Sequence, residues 1–297
     1  KESPRKNTLY RRKISRLQLI IAMIAFGTIG VFVKNINLAS AEIALWRGVI
    51  AVVTLFILLI ISKKIKDFFE IKENLWKLLL SGIAMGFNWV LLFEAYNHTS
   101  IALSTLSYYF APTIIIVAST FLFKEKLTLK QIICFIVSTA GLVMIIGLNE
   151  GNSSDIKGVL YGLAAACLYA IVVLFNKATA EIEGLIRTFI QFLVAVIVLI
   201  PYVYFTNGFH INQLNNFGLL NLLILGVLHT GIIYYLYFNA LSYLTGQQVA
   251  ILSYIDPAIA VFLSVVVLGE RINTVQLIGG VILLAATFIN EVNFKQT

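Results

Sequence analysis

The chain has 297 residues, 60% of them hydrophobic and 12% charged, with a mean hydropathy of +0.92. That composition excludes an ordinary soluble domain. The net charge of +8 does not mark a nucleic-acid binder either, because the basic residues sit mostly in tails and loops beside apolar runs.

An apolar helix of roughly 20 residues crosses a bilayer's hydrocarbon core, and ten runs of about that length follow one another here. Residues 1–16 form a basic tail, expected to be cytoplasmic. Leu17–Val33 is the first run; no small-residue cleavage site follows it, so it reads as a helix and not as a cleaved signal peptide. Ile43–Ile61 carries Arg47, about one turn after Glu42. Leu75–Tyr96 contains Gly82 and Gly86 in a GxxxG spacing that lets helices approach closely, then Asn88, Trp89 and Glu94. Ala102–Phe123 contains Tyr108, Tyr109 and Pro112, and Leu129–Leu148 closes the first half.

After the polar loop LNEGNSSDI come Gly158–Ala178, with Tyr161 and Tyr169, and Leu185–Phe205. Phe217–Ala240 holds His229, Tyr234 and Tyr235. Val249–Leu268 contains the segment AILSYIDP, in which Asp256 precedes Pro257. Val275–Ile289 is the tenth run, and residues 290–297 form a second tail. Cys134 and Cys167 fall inside apolar runs and read as small hydrophobes, with no disulfide or zinc spacing.

With the N-terminus inside, 18 of the 22 basic residues fall in the cytoplasmic tails and loops, Lys177 and Arg187 among them. The charge asymmetry therefore predicts an integral membrane protein, of a bacterial cytoplasmic membrane, with both termini cytoplasmic. A shift of 145 positions lays the fourth and fifth runs over the ninth and tenth without a gap: Tyr109 meets Tyr254, Pro112 meets Pro257 and Glu125 meets Glu270. Earlier helices match more weakly, with Arg47 meeting Gln191 at a shift of 144. The expected fold is an all-α membrane protein of ten transmembrane helices, arranged as two five-helix repeats over 17–148 and 158–289. Five is odd, so the second repeat enters the membrane inverted, an architecture of secondary transporters that rock about a central site.

The segments FKEKLTLKQIICFIVSTAGL and LGERINTVQLIGGVILLAAT, with YYFAPTIIIVAS and SYIDPAIAVFLS before them, resemble the paired signatures of the drug/metabolite transporter superfamily, specifically its EamA-type ten-helix members. The resemblance runs from Leu17 to Ile289. It implies an inverted repeat, a central cavity and export or exchange of small metabolites, amino acids among them.

A charged side chain at mid-bilayer costs roughly 2.5–3.5 kcal/mol on insertion scales, so each calls for a partner, a watery cavity or a function. Asp256 is the deepest acid, a candidate for a substrate amine or a coupling proton, or else a satisfied carboxyl supporting a kink; Pro257 frees the carbonyl of residue 253. Arg47 suits a substrate carboxylate, or pairs with Glu42 or Glu94 as a gate or bridge. Trp89, Tyr108, Tyr109 and Tyr254, the deepest aromatic residues with polar tips, are candidate cavity walls with Asn88; others of that type suit the interface belt. His229 is a candidate proton relay or a hydrogen-bonded core residue. Pro112 and Pro257 are candidate hinges.

The expectation is a secondary active transporter exporting amino acids or related metabolites by alternating access, with cationic amines or drugs as the alternative cargo. Protons are a candidate coupling ion, and the partners are the bilayer and a small solute. An intramembrane enzyme or lipid-handling protein is the reading from another class, but the sequence has no P-loop, GxSxG or HExxH, and no cofactor or metal is expected. Lipid-facing and partner-facing apolar surfaces share one composition, so the pattern assigns no oligomeric state.

Overall fold

A computed structural model describes residues 4–64, 74–122, 128–146, 153–179, 181–241, 244 and 252–291, and these are helical with no β-strand among them. In chain order the helices are α1 (Pro4–Lys34), α2 (Ser40–Ile61), α3 (Leu75–His98), α4 (Ile101–Tyr108), α5 (Ala111–Leu122), α6 (Leu129–Ile146), α7 (Ser153–Lys177) and α8 (Gly184–Thr206). Then come α9 (Asn216–Leu223), a π-helical stretch Ile224–Ile232, α10 (Ile233–Leu241), α11 (Ile255–Val266) and α12 (Thr274–Glu291). Six helical segments are long and apolar enough to cross a membrane, and four further apolar helices are shorter. Their outward faces carry exposed side chains such as Ile61, Phe121 and Phe205, as lipid contact requires.

Three elements differ from the sequence expectation. The first helix extends back through the basic tail to Pro4, because Arg and Lys are good helix formers and proline is tolerated in a first turn. The fourth run is interrupted at Tyr109 and Phe110, and the ninth has a turn at Tyr254 just before α11. Pro112 and Pro257 therefore stand in the first turns of α5 and α11 and not in mid-helix as expected of hinges. The cause is local: each proline lacks the N–H that would reach four residues back, and its ring crowds that carbonyl.

The third difference is the π-helical stretch in the eighth run. Thr230 Oγ1 donates to Leu225 O at 2.7 Å and His229 Nδ1 lies 3.2 Å from Ile224 O, so both side chains hold carbonyls five residues back. A wide turn of this kind re-aims side chains within an otherwise regular helix.

Helix α3 sits at the centre, packed on α2, α7 and α8; α1 lies on α10 and α11, α4 on α7 and α11, and α6 on α12. Close approach needs small residues at two crossings. A Cβ at Gly82 would lie 2.6 Å from Val194 Cβ, and Cβ atoms at Gly141 and Gly279 would each lie 2.6 Å from the other's carbonyl oxygen.

Polar ties join the helix ends. At the end bearing the α1–α2 connection, Glu270 Oε1 meets Lys34 Nζ at 2.6 Å, while its Oε2 accepts from Ile101 N at 2.8 Å and Ser264 Oγ at 2.5 Å. Ser40 Oγ donates to Glu94 at 2.7 Å and Thr99 Oγ1 to Asp155 at 2.6 Å. At the opposite end Lys64 pairs with Glu183, and Asn74 Nδ2 donates to Glu181 at 3.0 Å.

Candidate functional site

Between these two ends lies a cavity of about 730 Å³. Arg47, Asn88, Trp89, Tyr108, Tyr109, Tyr254 and Asp256 all line it, together with Pro112. Their arrival at one place follows from the breaks. Ending α4 at Tyr108 and starting α11 after Tyr254 turns two tyrosine-bearing segments toward each other, and α4 packs directly on α11.

Asp256 is held from the other half of the chain. Tyr109 Oη lies 2.8 Å from Asp256 Oδ2 and 3.2 Å from Ser253 O, the carbonyl four residues before Pro257. A hydroxyl shared between a carboxylate and a backbone carbonyl ties the two segments together. The rings continue from there: Tyr108 contacts Tyr109 and Tyr169, with centroids 6.5 and 5.5 Å apart, and Tyr109 contacts Tyr254 at 6.4 Å.

Arg47 is buried beside a second aromatic group. Its Nε donates to Thr230 Oγ1 at 2.6 Å, which the π-helical turn has brought to that position. Its guanidinium carbon stands 4.9 Å from the Trp89 ring centroid and 5.4 Å from that of Phe93, a cation–π arrangement that fixes the plane of the fork. Trp89 in turn packs edge-on against Phe192 at 4.9 Å. Asn88 Nδ2 donates to Ala165 O at 2.6 Å, tying α3 to α7, and approaches Tyr108 Oη at 3.4 Å.

The expected cluster of Arg47, Glu42 and Glu94 does not form. Glu42 is fully buried, and its Oε1 accepts from His210 N at 2.6 Å and Trp46 Nε1 at 3.1 Å; a loop from far along the chain covers it. Glu94 accepts from Ser40 and lies 3.6 Å from His98 Nδ1. Neither carboxylate lines the cavity. His229 is also outside its lining, with Nε2 2.8 Å from Thr28 Oγ1 and its ring 4.8 Å from that of Phe32. Pro257 is buried in α11 beneath Asp256.

Other lining residues are not evident from the sequence. Tyr96, Tyr237, Thr105, Asn176 and Gln191 line the cavity, as does Arg187, which charge asymmetry assigns to a cytoplasmic loop. Arg187 lies in the first turn of α8 and its side chain turns inward to the end of α7. A basic residue at the edge of an apolar run reads as a flank; only its bonds to the carbonyls of Asn176 and Thr179 show which way it faces.

The arrangement is a partly aromatic chamber with one carboxylate and two guanidinium groups, able to bind a small polar solute with an apolar body. Comparison with known proteins agrees with a solute pathway. The profile of the EamA-like transporter family matches residues 14–147 and again 156–291. A Bacillus subtilis protein described as "Uncharacterized transporter YxxF" is 30% identical over 272 residues, covering 91% of this chain and 86% of its own. A Salmonella typhimurium protein named "Probable amino-acid metabolite efflux pump" is 28% identical over 187 residues, 59% of this chain and 62% of its own. A solved structure titled "Crystal structure of protein" shares the fold with a TM-score of 0.66 at 15% identity, covering 93% of this chain and 96% of its own. The chain belongs to the EamA-like transporter family.

Proposed function

We propose that the protein is a secondary active transporter that exports amino acids or related small metabolites, by alternating access of two inverted five-helix halves, 17–148 and 158–289, with both termini cytoplasmic. The observation that carries the reading is the cavity between Arg47 of the first half and Asp256 of the second. A zwitterion matches it, carboxylate toward the Arg47 fork and ammonium toward Asp256, with its side chain among the rings. The relative named as an amino-acid metabolite efflux pump supports the same substrate class.

The packing favours the two-half description. α3 on α7 is answered by α10 on α1, α3 on α8 by the π-helical stretch on α2, and α1 on α11 by α7 on α5. The pair of α6 with α12 is its own counterpart. Exchanging the halves leaves the pattern in place, which suits a machine whose two ends open in turn.

The second reading is a carrier of cationic amines. It is favoured by the anchoring of Arg47 on Thr230 and two aromatic rings, which leaves Asp256, the one carboxylate among the described lining residues, to meet a cation. Counterflow in proteoliposomes decides between them. Labelled amino acids, amines and anionic metabolites are supplied with and without a pH gradient, using the native chain, Arg47→Gln and Asp256→Asn. Zwitterion transport lost in both variants supports the first reading, and amine transport lost only in Asp256→Asn supports the second. Unchanged transport in both folded variants removes the cavity assignment. A pH-gradient response abolished by Asp256→Asn identifies protons as the coupling ion and Asp256 as their carrier.

A further inference from the structure

Arg187 carries a role of its own. Its Nη1 donates to Asn176 O at 3.2 Å and Thr179 O at 3.1 Å, closing the C-terminal carbonyls of α7 and fixing the plane of the guanidinium. Among the described residues the rest of that fork makes no hydrogen bond: Nε is enclosed without a partner, and Nη2 is the donor left for a solute. Glu181 is close enough to act on Arg187 through charge, but it accepts its hydrogen bond from Asn74. Beside it, Gln191 Nε2 donates to Ser81 Oγ at 2.5 Å and to Asn176 Oδ1 at 2.6 Å. With its oxygen occupied in this way, Asn176 has its amide N–H donors left over. Arg187, Asn176 and Gln191 all line the cavity. Gln191, with both amide hydrogens spent, fixes this wall without donating to it; what the wall offers a solute is the guanidinium of Arg187, with one full positive charge, and the amide of Asn176, the chemistry of an anion site.

The position is as informative as the chemistry. Gln191 bonds to Ser81 on α3, whereas Arg47 stacks on Trp89 of the same helix; eight residues of helix separate these levels by roughly 12 Å. Gly82 lies against Gln191 and Val194, and Gly86 against Ala195 and Leu199, so α3 and α8 run in parallel. Arg187 is then about one turn beyond Gln191, farther still from Arg47. In the repeat Gln191 is the counterpart of Arg47, so each half bears an arginine near the matching end of its second helix. One carboxylate cannot engage both arginines at once.

We propose that Arg187 and Asn176 form a second anion subsite, at the end of the cavity away from Arg47, which captures the carboxylate of an entering solute before Arg47 receives it. The order of capture rests on the transport reading above, in which this end faces the cytoplasm; the anion subsite itself does not.

The test uses the full chain in detergent micelles and equilibrium dialysis with two labelled compounds, hydrocinnamate as carboxylate alone and phenethylamine as amine alone. Arg47→Gln is expected to retain hydrocinnamate binding. Adding Arg187→Gln weakens it by roughly tenfold or more, the size expected for loss of a charged hydrogen bond. Adding Arg187→Lys instead retains most of it, and phenethylamine binding holds throughout. The proposal is overturned if Arg47→Gln alone abolishes hydrocinnamate binding, if Arg187→Gln has no effect, or if it weakens phenethylamine equally, which marks a purely structural role. Should the expected pattern appear while no solute is moved in proteoliposomes, the transport reading fails and the subsite stands. Amine transport without any carboxylate binding does the opposite: the subsite falls and transport stands.

Discussion

Tyr109 and Asp256 stand 147 positions apart in the chain, yet the tyrosine Oη lies 2.8 Å from the aspartate Oδ2 and 3.2 Å from Ser253 O. One hydroxyl thus joins the break in the fourth apolar run to the break in the ninth. Tyr109→Phe removes only that hydroxyl, so the ring contacts with Tyr108 and Tyr254 persist. The variant is expected to fold normally and to transport at least about tenfold more slowly, since a hydrogen bond to a charged group is worth roughly 1.5–3 kcal/mol. Initial counterflow rates check this; a rate equal to the native one would show that the link is dispensable.

Thr230→Val is nearly isosteric but deletes both the acceptor for Arg47 Nε and the donor to Leu225 O. Arg47 stays over Trp89 but loses the bond that aims its fork. Carboxylate-bearing solutes are expected to show a raised KM, by roughly fivefold to tenfold, with amine solutes little changed. The paired KM values are the measurement.

At the α6–α12 crossing there is no room for a side chain. Gly279→Val would drive Cβ to within 2.6 Å of Gly141 O, and the helices must separate or shift. Overpacking of this kind costs typically about 1–3 kcal/mol. A lowered thermal unfolding midpoint in detergent is expected, with Gly279→Ala intermediate.

Asn88 is nearly inaccessible, and its amide serves Ala165 O at 2.6 Å. Asn88→Leu leaves that carbonyl with one partner fewer in a dry interior, and a loss of about 1–3 kcal/mol is expected. Both stability and transport of every solute fall together, in contrast with the solute-selective effect of Thr230→Val. Thermal unfolding and counterflow on one preparation separate the two.

The cavity wall was legible in sequence to the extent that its residues were deep in apolar runs. Trp89, Tyr108, Tyr109, Tyr254 and Asp256 stand out there because polar atoms in lipid need a reason. The repeat sharpened this by pairing Tyr109 with Tyr254 and Pro112 with Pro257, so the two chain breaks fall at matching places. Arg187 was not legible as a cavity residue, because a cation at the rim of a run has the same local signature whether it faces water or a cavity. Glu42 and Glu94 are neighbours of Arg47 in pattern only. The loop carrying His210 claims one and Ser40 the other, and both are contacts between distant parts of the chain. The π-helical turn left no trace in composition, although it sets the contacts of Thr230 with Arg47 and of His229 with Thr28 across helices.

Glu270 gives the helix ends beside the α1–α2 connection their mechanical character. Its two carboxylate oxygens are shared among Lys34 on α1, the first backbone N–H of α4, and Ser264 on α11. Any one of these helices that moves alone strands a largely buried charge while the other two still hold it, so small displacements are resisted more steeply than large ones are rewarded. Separation at this end is then a concerted event with a threshold. In the alternating-access proposal this end then acts as a catch that is either engaged or released, and a partly ajar pathway, through which the solute gradient would leak, is the arrangement that this single carboxylate most strongly opposes.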